Sequence, residues 1–344
     1  MKIQKLLRTL ALAGLVLTSA SWADDAARPY ADGLAHTFSI VARDAATGEL
    51  GVAVQTHWFA VGRRVPWAEA GVGAIATQSF TNPALGSDGL RMLKQGKSAS
   101  EVLAALLAAD EGRAVRQVGI VDAAGRVAAW TGESCIPAAG HLLGDGFAVQ
   151  ANLMANDRVW PAMATAFRAA ESPLAERMLA ALEAAQAEGG DIRGRQSAAL
   201  VVVAPEATGK VWEERRVDLR VDDSAEPLAE LARLLRLHRA YEHMNRGDEA
   251  MEADDVARAL REYGAAEDLF PEHLEMRFWH AVALANEGLV EQALPIFDAV
   301  FARDPNWREL AHRLPAVGLL GVSPQDLARI VGARDPAHSG TAVE

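Results

Sequence analysis

The chain has 344 residues, half of them hydrophobic, which is enough apolar material for two packed domains. Its 46 acidic side chains outnumber 34 basic ones, and the formal net charge of −12 disfavours a nucleic-acid or anionic-membrane partner. Cys135 is the only cysteine, which excludes an internal disulfide and a cysteine-based zinc site and suits a small buried apolar residue better than a reactive thiol.

Lys2, Lys5 and Arg8 make a positive start, Leu10 to Leu17 an apolar run too short to span a bilayer, and Ser21-Trp22-Ala23 a small-x-small cleavage site. Residues 1–23 therefore read as a signal peptide, and the expected product is periplasmic or secreted. Losing those three cations takes Lys+Arg from 34 to 31 against 46 Asp+Glu, a net charge near −15. No later stretch reaches about 18 apolar residues, so no membrane span is expected after signal removal.

Residues 24–36 read as a leader or propeptide ahead of the strand Thr37-Phe-Ser-Ile-Val-Ala-Arg-Asp44. One cut would make Thr37 a chain terminus. Its hydroxyl would then be a nucleophile beside its own base, an α-amine of pKa about 7.7–8.0. Uncut, Thr37 is an ordinary strand residue.

Strands are predicted over Phe38 to Arg43 and Leu50 to Thr56, joined by the turn-rich Ala45 to Gly48, and over Gly73 to Ser79 after Pro66 and Gly71. Helical spacing covers Ala84 to Gln95, with Gly96 as a stop, and Ser98 to Asp110, where Ser98-x-x-Glu101 has the form of a capping box. Gln117 to Val121 and Val127 to Trp130 form a hairpin around Asp122 to Gly125, and Phe147 to Leu153 is a further strand. Helices over Arg158 to Ala170 and Pro173 to Glu188 precede a strand from Ser197 to Ala204. Strands grouped between helix pairs, without strict βαβ alternation, imply an α+β fold of two mainly antiparallel sheets with helices on the outer faces.

The pattern changes between residues 205 and 227, after which everything reads as helix, and the first domain is placed at 37–222. In the helical part Ala259, Tyr263 and Pro271 recur 34 residues later as Ala293, Phe297 and Pro305, with Gly247 twelve residues ahead of Ala259. That period with those residue types is the tetratricopeptide signature: the small residue lets two helices approach, the aromatic fills the gap, and the proline ends the second helix. Arg277 and Ala281 depart from it. A small all-α tetratricopeptide-like domain is expected over 223–335, capped by helices at Pro227 to Arg246 and Trp307 to Leu314, with a flexible tail over 336–344.

Gly71-Val-Gly-Ala-Ile-Ala76 superficially matches a dinucleotide fingerprint, but it precedes a strand instead of opening a helix and is discarded. The sequence has no phosphate loop, no Gly-x-Ser-x-Gly elbow and no His-Glu-x-x-His. His273 and His280 share a helical face without a carboxylate-rich surround, so no metal site is predicted.

The strings Thr37 to Asp44, Val65-Pro-Trp-Ala-Glu-Ala-Gly-Val-Gly73, Ala76-Thr-Gln78, Gln117-Val-Gly-Ile-Val-Asp122 and Arg193-Gly-Arg-Gln-Ser-Ala-Ala199 resemble, in order, the bacterial domain-of-unknown-function 1028 family. That resemblance covers about Thr37 to Ala204 and implies a fold similar to the N-terminal-nucleophile hydrolases, the αββα sandwiches that include the proteasome and penicillin acylase. It implies in turn an amide-bond hydrolase with Thr37 as nucleophile, without a settled substrate; that mechanism requires no metal or cofactor, and a small amide or acyl-peptide is the expected substrate. Cytosolic relatives begin Met-Thr. Here either residues 24–36 are removed as well or the terminal-amine mechanism is absent.

Gln78 and Asn152 are the candidate oxyanion donors beside Thr37, with Asn82 a further donor at a strand end; each also suits a hydrogen-bonded turn or edge. Glu69 could hold the terminal amine or be a solvated loop carboxylate. Asp191, Arg193 and Arg195 precede the last strand, where arginine forks could bind a substrate carboxylate or form a surface ion-pair cluster. His57 could assist proton transfer or pack beside Trp58 and Phe59. The rival to an enzyme is a catalytically silent envelope binding or scaffold protein whose helical domain docks a protein or peptide.

Overall fold

The computed structural model describes residues 34–35 and 37–332; the expected signal peptide, the rest of the expected leader and the expected tail lie outside the described residues. The first region comprises β1 (Leu34–Ala35), β2 (Thr37–Arg43), β3 (Leu50–Thr56), β4 (Pro66–Glu69), β5 (Gly73–Phe80), α1 (Ala84–Lys94) and α2 (Ala99–Ala109). It continues with β6 (Arg116–Asp122), β7 (Val127–Thr131), β8 (Gly140–Gly144), β9 (Phe147–Ala151), α3 (Val159–Ala169), α4 (Leu174–Ala187), β10 (Ser197–Val203), α5 (Val211–Glu214) and β11 (Arg215–Val221). The helical region follows: α6 (Pro227–Glu252), α7 (Val256–Leu269), α8 (Leu274–Asn286), α9 (Val290–Arg303), α10 (Asn306–Arg313) and α11 (Pro324–Val331).

The strands form two antiparallel sheets. One runs β1-β5-β6-β7, with β4 also on β5; the other runs β11-β10-β3-β2-β9-β8. Local chemistry sets the hairpins: Asp44 Oδ1 accepts from the amides of Ala46 and Thr47, both at 2.8 Å, and Asp122 Oδ1 does the same for Ala124 and Arg126, both at 3.0 Å. The Ser98–Glu101 capping box is present at the start of α2.

Burial on both faces explains why the central strands read as continuous apolar runs instead of alternating. Phe38, Ile40 and Val149 pack outward against Met163, Phe167, Met178 and Leu182 of α3 and α4. Val41, Val52 and Val54 face Ala74, Ala76 and Val121 across the gap between the sheets. Ile75, Val118 and Ile120 pack outward against Leu85, Leu93, Val102 and Leu106 of α1 and α2.

Four strands escape the sequence pattern. β1 and β4 are short, and β4 opens on Pro66, which has no N–H to give a ladder. β8 begins and ends on glycine. β11 alternates arginine and aspartate with Val217, Leu219 and Val221, which breaks the run of apolar residues although its inward face is covered.

α6 belongs to both regions. Leu228, Leu231 and Leu235 lie in the same core as Val217, Val221 and α4, and Arg239 forks onto Glu176 of α4 at 2.8 and 3.0 Å. The boundary expected after residue 222 therefore cuts through a core. The second half of α6 supplies Ala240, Met244 and Ala250 to the next cluster, with Ala259 and Tyr263. Ala293 and Phe297 are buried between the following helices, and Pro271 and Pro305 stand just past α7 and α9.

Candidate functional site

The registers bring six strand ends to one end of the sandwich. Thr37 pairs with Thr56, Thr56 with Ser197, and Phe38 with Ala151, so β2 and β10 start where β3 and β9 finish. In the other sheet Ser79 pairs with Arg116 and Gln78 with Gln117, so the end of β5 and the start of β6 meet them.

Thr37 is fully buried, and its carbonyl accepts from Asn152 N at 3.1 Å and Gln78 Nε2 at 3.0 Å. The two residues of β1 pair with Phe80 and Ser79 immediately upstream of it. Ser79 has a left-handed φ of 72°, and Leu153, next to Asn152, one of 58°. For residues with side chains this costs on the order of 1–3 kcal/mol each, the kind of strain that clusters at functional sites.

Between the sheets runs a seam of amides and hydroxyls, buried except at its outer end, where Thr131 is half-buried and His141 exposed. On one sheet it comprises the cross-strand neighbours Gln78, Gln117 and Thr131, and on the other Ser39, Gln150 and His141. Gln150 Nε2 donates to Ser39 Oγ at 2.6 Å, and Ser39 Oγ to Gln78 Oε1 at 2.6 Å. Gln78 Nε2 donates to Gln117 Oε1 at 2.7 Å, as does Asn152 Nδ2 at 2.8 Å. Gln117 Nε2 reaches Ala151 O at 2.9 Å, Thr131 Oγ1 at 2.9 Å and Gly140 O at 3.2 Å. Thr131 Oγ1 lies 2.9 Å from His141 Nδ1. Burial pushes the His141 pKa below its ordinary value. Gly119 makes room for the seam, since a Cβ there would stand 2.3 Å from Gln150 Oε1.

The expected residues divide. Gln78 and Asn152 do flank Thr37, but the Gln78 side-chain amide and the Asn152 backbone N–H both donate to the Thr37 carbonyl oxygen, and Asn152 Nδ2 donates to Gln117 Oε1, so they act as posts. His57 follows β3 and is joined to the 189–196 loop: its amide donates to Asp191 Oδ2 at 3.2 Å, and its Nδ1 lies 3.4 Å from Arg195 O. Asp191 is buried and also grips Arg193, accepting from its Nε at 3.0 Å and Nη2 at 2.7 Å. Arg195 pairs with Glu226 at the surface. Both guanidiniums are thus engaged within the protein, as an ion-pair cluster instead of a vacant fork.

Asn82 turns the chain into α1, its Oδ1 accepting from Ala84 N at 3.1 Å. Glu69 is not brought to Thr37. It pairs with Gly73, five residues along β5 from Gln78 and therefore roughly 17 Å away at about 3.4 Å per residue, and its carboxylate is held by Lys94. It lines a separate cavity of about 620 Å³ with Trp67 and Arg220.

Gln117, Gln150, Thr131 and His141 were not anticipated as site residues. The available signal was glutamine inside otherwise apolar strands: Gln55, Gln78, Gln117 and Gln150 are all fully buried. Among the described residues no group of three or more His, Cys, Asp and Glu is arranged to hold a metal ion, and no helix is long and apolar enough to cross a membrane.

Comparison with solved structures gives a match to the crystal structure of protein SPO2555 from Silicibacter pomeroyi, whose description names the DUF1028 family model. The two share 30% sequence identity and a TM-score of 0.53, over 58% of this chain and 88% of that one. No curated protein matches. The sequence model of the family of unknown function DUF1028 matches residues 37–231, beginning at Thr37 itself and ending inside α6. The chain belongs to the DUF1028 family.

Proposed function

We propose that this protein is an exported amide hydrolase of the N-terminal-nucleophile type, with the αββα sandwich of that class, acting on a small amide or acyl-peptide substrate. The observation that carries the proposal is the setting of Thr37: first residue of β2, carbonyl held by two donors, and first residue of the family match. Removal of residues 24–36 would release β1 from β5 and free the Thr37 amine in a fixed position. Thr37 Oγ1 then attacks the substrate carbonyl while the α-amine takes its proton. The resulting ammonium returns that proton to the leaving amine, and water, deprotonated by the same amine, hydrolyses the threonyl ester. Gln78 and Asn152 hold the nucleophile's backbone throughout.

The test is covalent trapping. A β-lactone probe incubated with the mature protein should leave an adduct mapping to Thr37, absent from Thr37→Ala and retained in Thr37→Ser. An adduct on another residue, or amide hydrolysis undiminished in Thr37→Ala, refutes the proposal.

A second reading, a silent envelope scaffold with a tetratricopeptide-like docking region, is favoured by one observation. A cavity of about 540 Å³ lies between α6 and α8, walled by Met251, Trp279 and Val282 with the acidic Asp248 and Glu252. This reading needs no cleavage, and the same probe separates the two.

A further inference from the structure

At the β7/β8 edge the seam reaches the surface in a cavity of about 710 Å³, lined by Thr131, Glu133, Pro137, His141 and Trp160 among others. Gly140 lets Trp160 approach β8 closely, since a Cβ there would stand 2.6 Å from the indole. The proton arrangement at this wall follows from the carbonyls behind it. Gly140 O and Ala151 O can only accept, so the Gln117 atom beside them is the amide nitrogen, and its two hydrogens go to the nearer acceptors, Ala151 O and Thr131 Oγ1, both at 2.9 Å, with Gly140 O farther off at 3.2 Å. The Thr131 hydroxyl keeps its own hydrogen, and the acceptor within reach is His141 Nδ1.

A hydrogen on Nδ1 would aim two donors at Thr131 Oγ1, Gln117 Nε2 and His141 Nδ1, and turn the hydroxyl hydrogen away from the seam to solvent. The neutral ring with its hydrogen on Nε2 is the state the seam favours, and partial desolvation of the otherwise exposed His141 favours the neutral ring as well. His141 is thereby a fixed donor at the wall of a cavity that also offers an indole face and the carboxylate of Glu133.

We propose that this cavity is a ligand site for a small uncharged molecule, in which His141 Nε2–H donates to a carbonyl oxygen and Trp160 covers an adjoining apolar group. Glu133 sets the charge preference, since a carboxylate in the same place would face it. The site does not depend on Thr37 being cut or being a nucleophile.

The experiment uses the ¹⁵N-labelled full chain and two probes with one apolar body, N-acetyltryptophanamide and the anionic N-acetyltryptophan. Long-range proton–nitrogen spectra should show His141 with Nδ1 bare and Nε2 protonated at pH 7. The neutral amide should shift the His141 Nε2 and Trp160 Nε1 signals saturably and bind at least fivefold more tightly than the anion. Thr131→Val, close in shape, should lose the single tautomer and weaken binding about tenfold, and His141→Ala should abolish the titration at Trp160. A protonated Nδ1, a preference for the anion, no shift with either probe, or unaltered binding in Thr131→Val overturns the proposal.

Discussion

Two glutamines with the same burial should respond in opposite ways to the same substitution. Gln117 and Gln55 are both fully buried, and leucine has nearly the volume of glutamine. Gln117 accepts from Gln78 and Asn152, and its two amide hydrogens are shared among Thr131 Oγ1, Ala151 O and Gly140 O. Gln55 Nε2 and Oε1 make none. Gln117→Leu leaves several buried polar groups short of a partner; at about 1–3 kcal/mol per stranded group, softened because Gln78 Nε2 keeps Thr37 O, the expected loss is about 3 kcal/mol. Gln55→Leu removes two unsatisfied polar atoms from the core and should be neutral or stabilising by about 1–2 kcal/mol. Urea unfolding followed by circular dichroism measures both, with an unchanged m-value as the check on two-state behaviour. Equal destabilisation by the two substitutions would refute the argument that hydrogen bonding of the seam, beyond mere burial of glutamine, stabilises the sandwich.

A chain ending after residue 222 should aggregate on expression, because it lacks Leu228, Leu231 and Leu235, worth roughly 5–8 kcal/mol of burial together, whereas one ending at Glu252 should melt cooperatively. Gly119→Ala should cost about 2 kcal/mol in the same urea assay by driving a methyl into Gln150, whereas Gly264→Ala, where a Cβ inside α7 meets open space, should stabilise by about 0.5–1 kcal/mol. Acidification should expose the His141 shift: its folded pKa lies below the ordinary 6.5, so the unfolded chain takes the proton first. Its contribution is complete above about pH 6.5 and is lost as pH falls through the folded value. His141→Gln should therefore shrink the drop in urea midpoint between pH 7.5 and 5; an identical drop in both proteins contradicts the assignment.

The sandwich was legible because its central strands are buried on both faces and its hairpins carry aspartate–glycine turns. The Ser98 capping box and the 34-residue spacing in the helical region were legible for the same reason: local chemistry repeats in the sequence what packing does in space. Edge strands were not, since β4 starts on Pro66 and β11 carries arginine and aspartate on its uncovered face. Thr37, Gln78 and Asn152 could be brought together from the sequence because each stands at a strand end. The Gln117–Thr131–His141 line could not, because it depends on which residues of two separate sheets face each other. The two arginines near Asp191 left a substrate clamp and an ion-pair cluster both open in the sequence for a related reason: only the fold places Asp191 and Glu226 beside them.

The central claim is that Thr37 becomes a chain terminus, and the intact mass of the protein purified from cells expressing the full chain tests it most directly. The mass should correspond to a chain beginning at Thr37, and if the chain cuts itself, Thr37→Ala should retain residues 24–36. Protein that hydrolyses an amide while still carrying residues 24–36 would contradict the account.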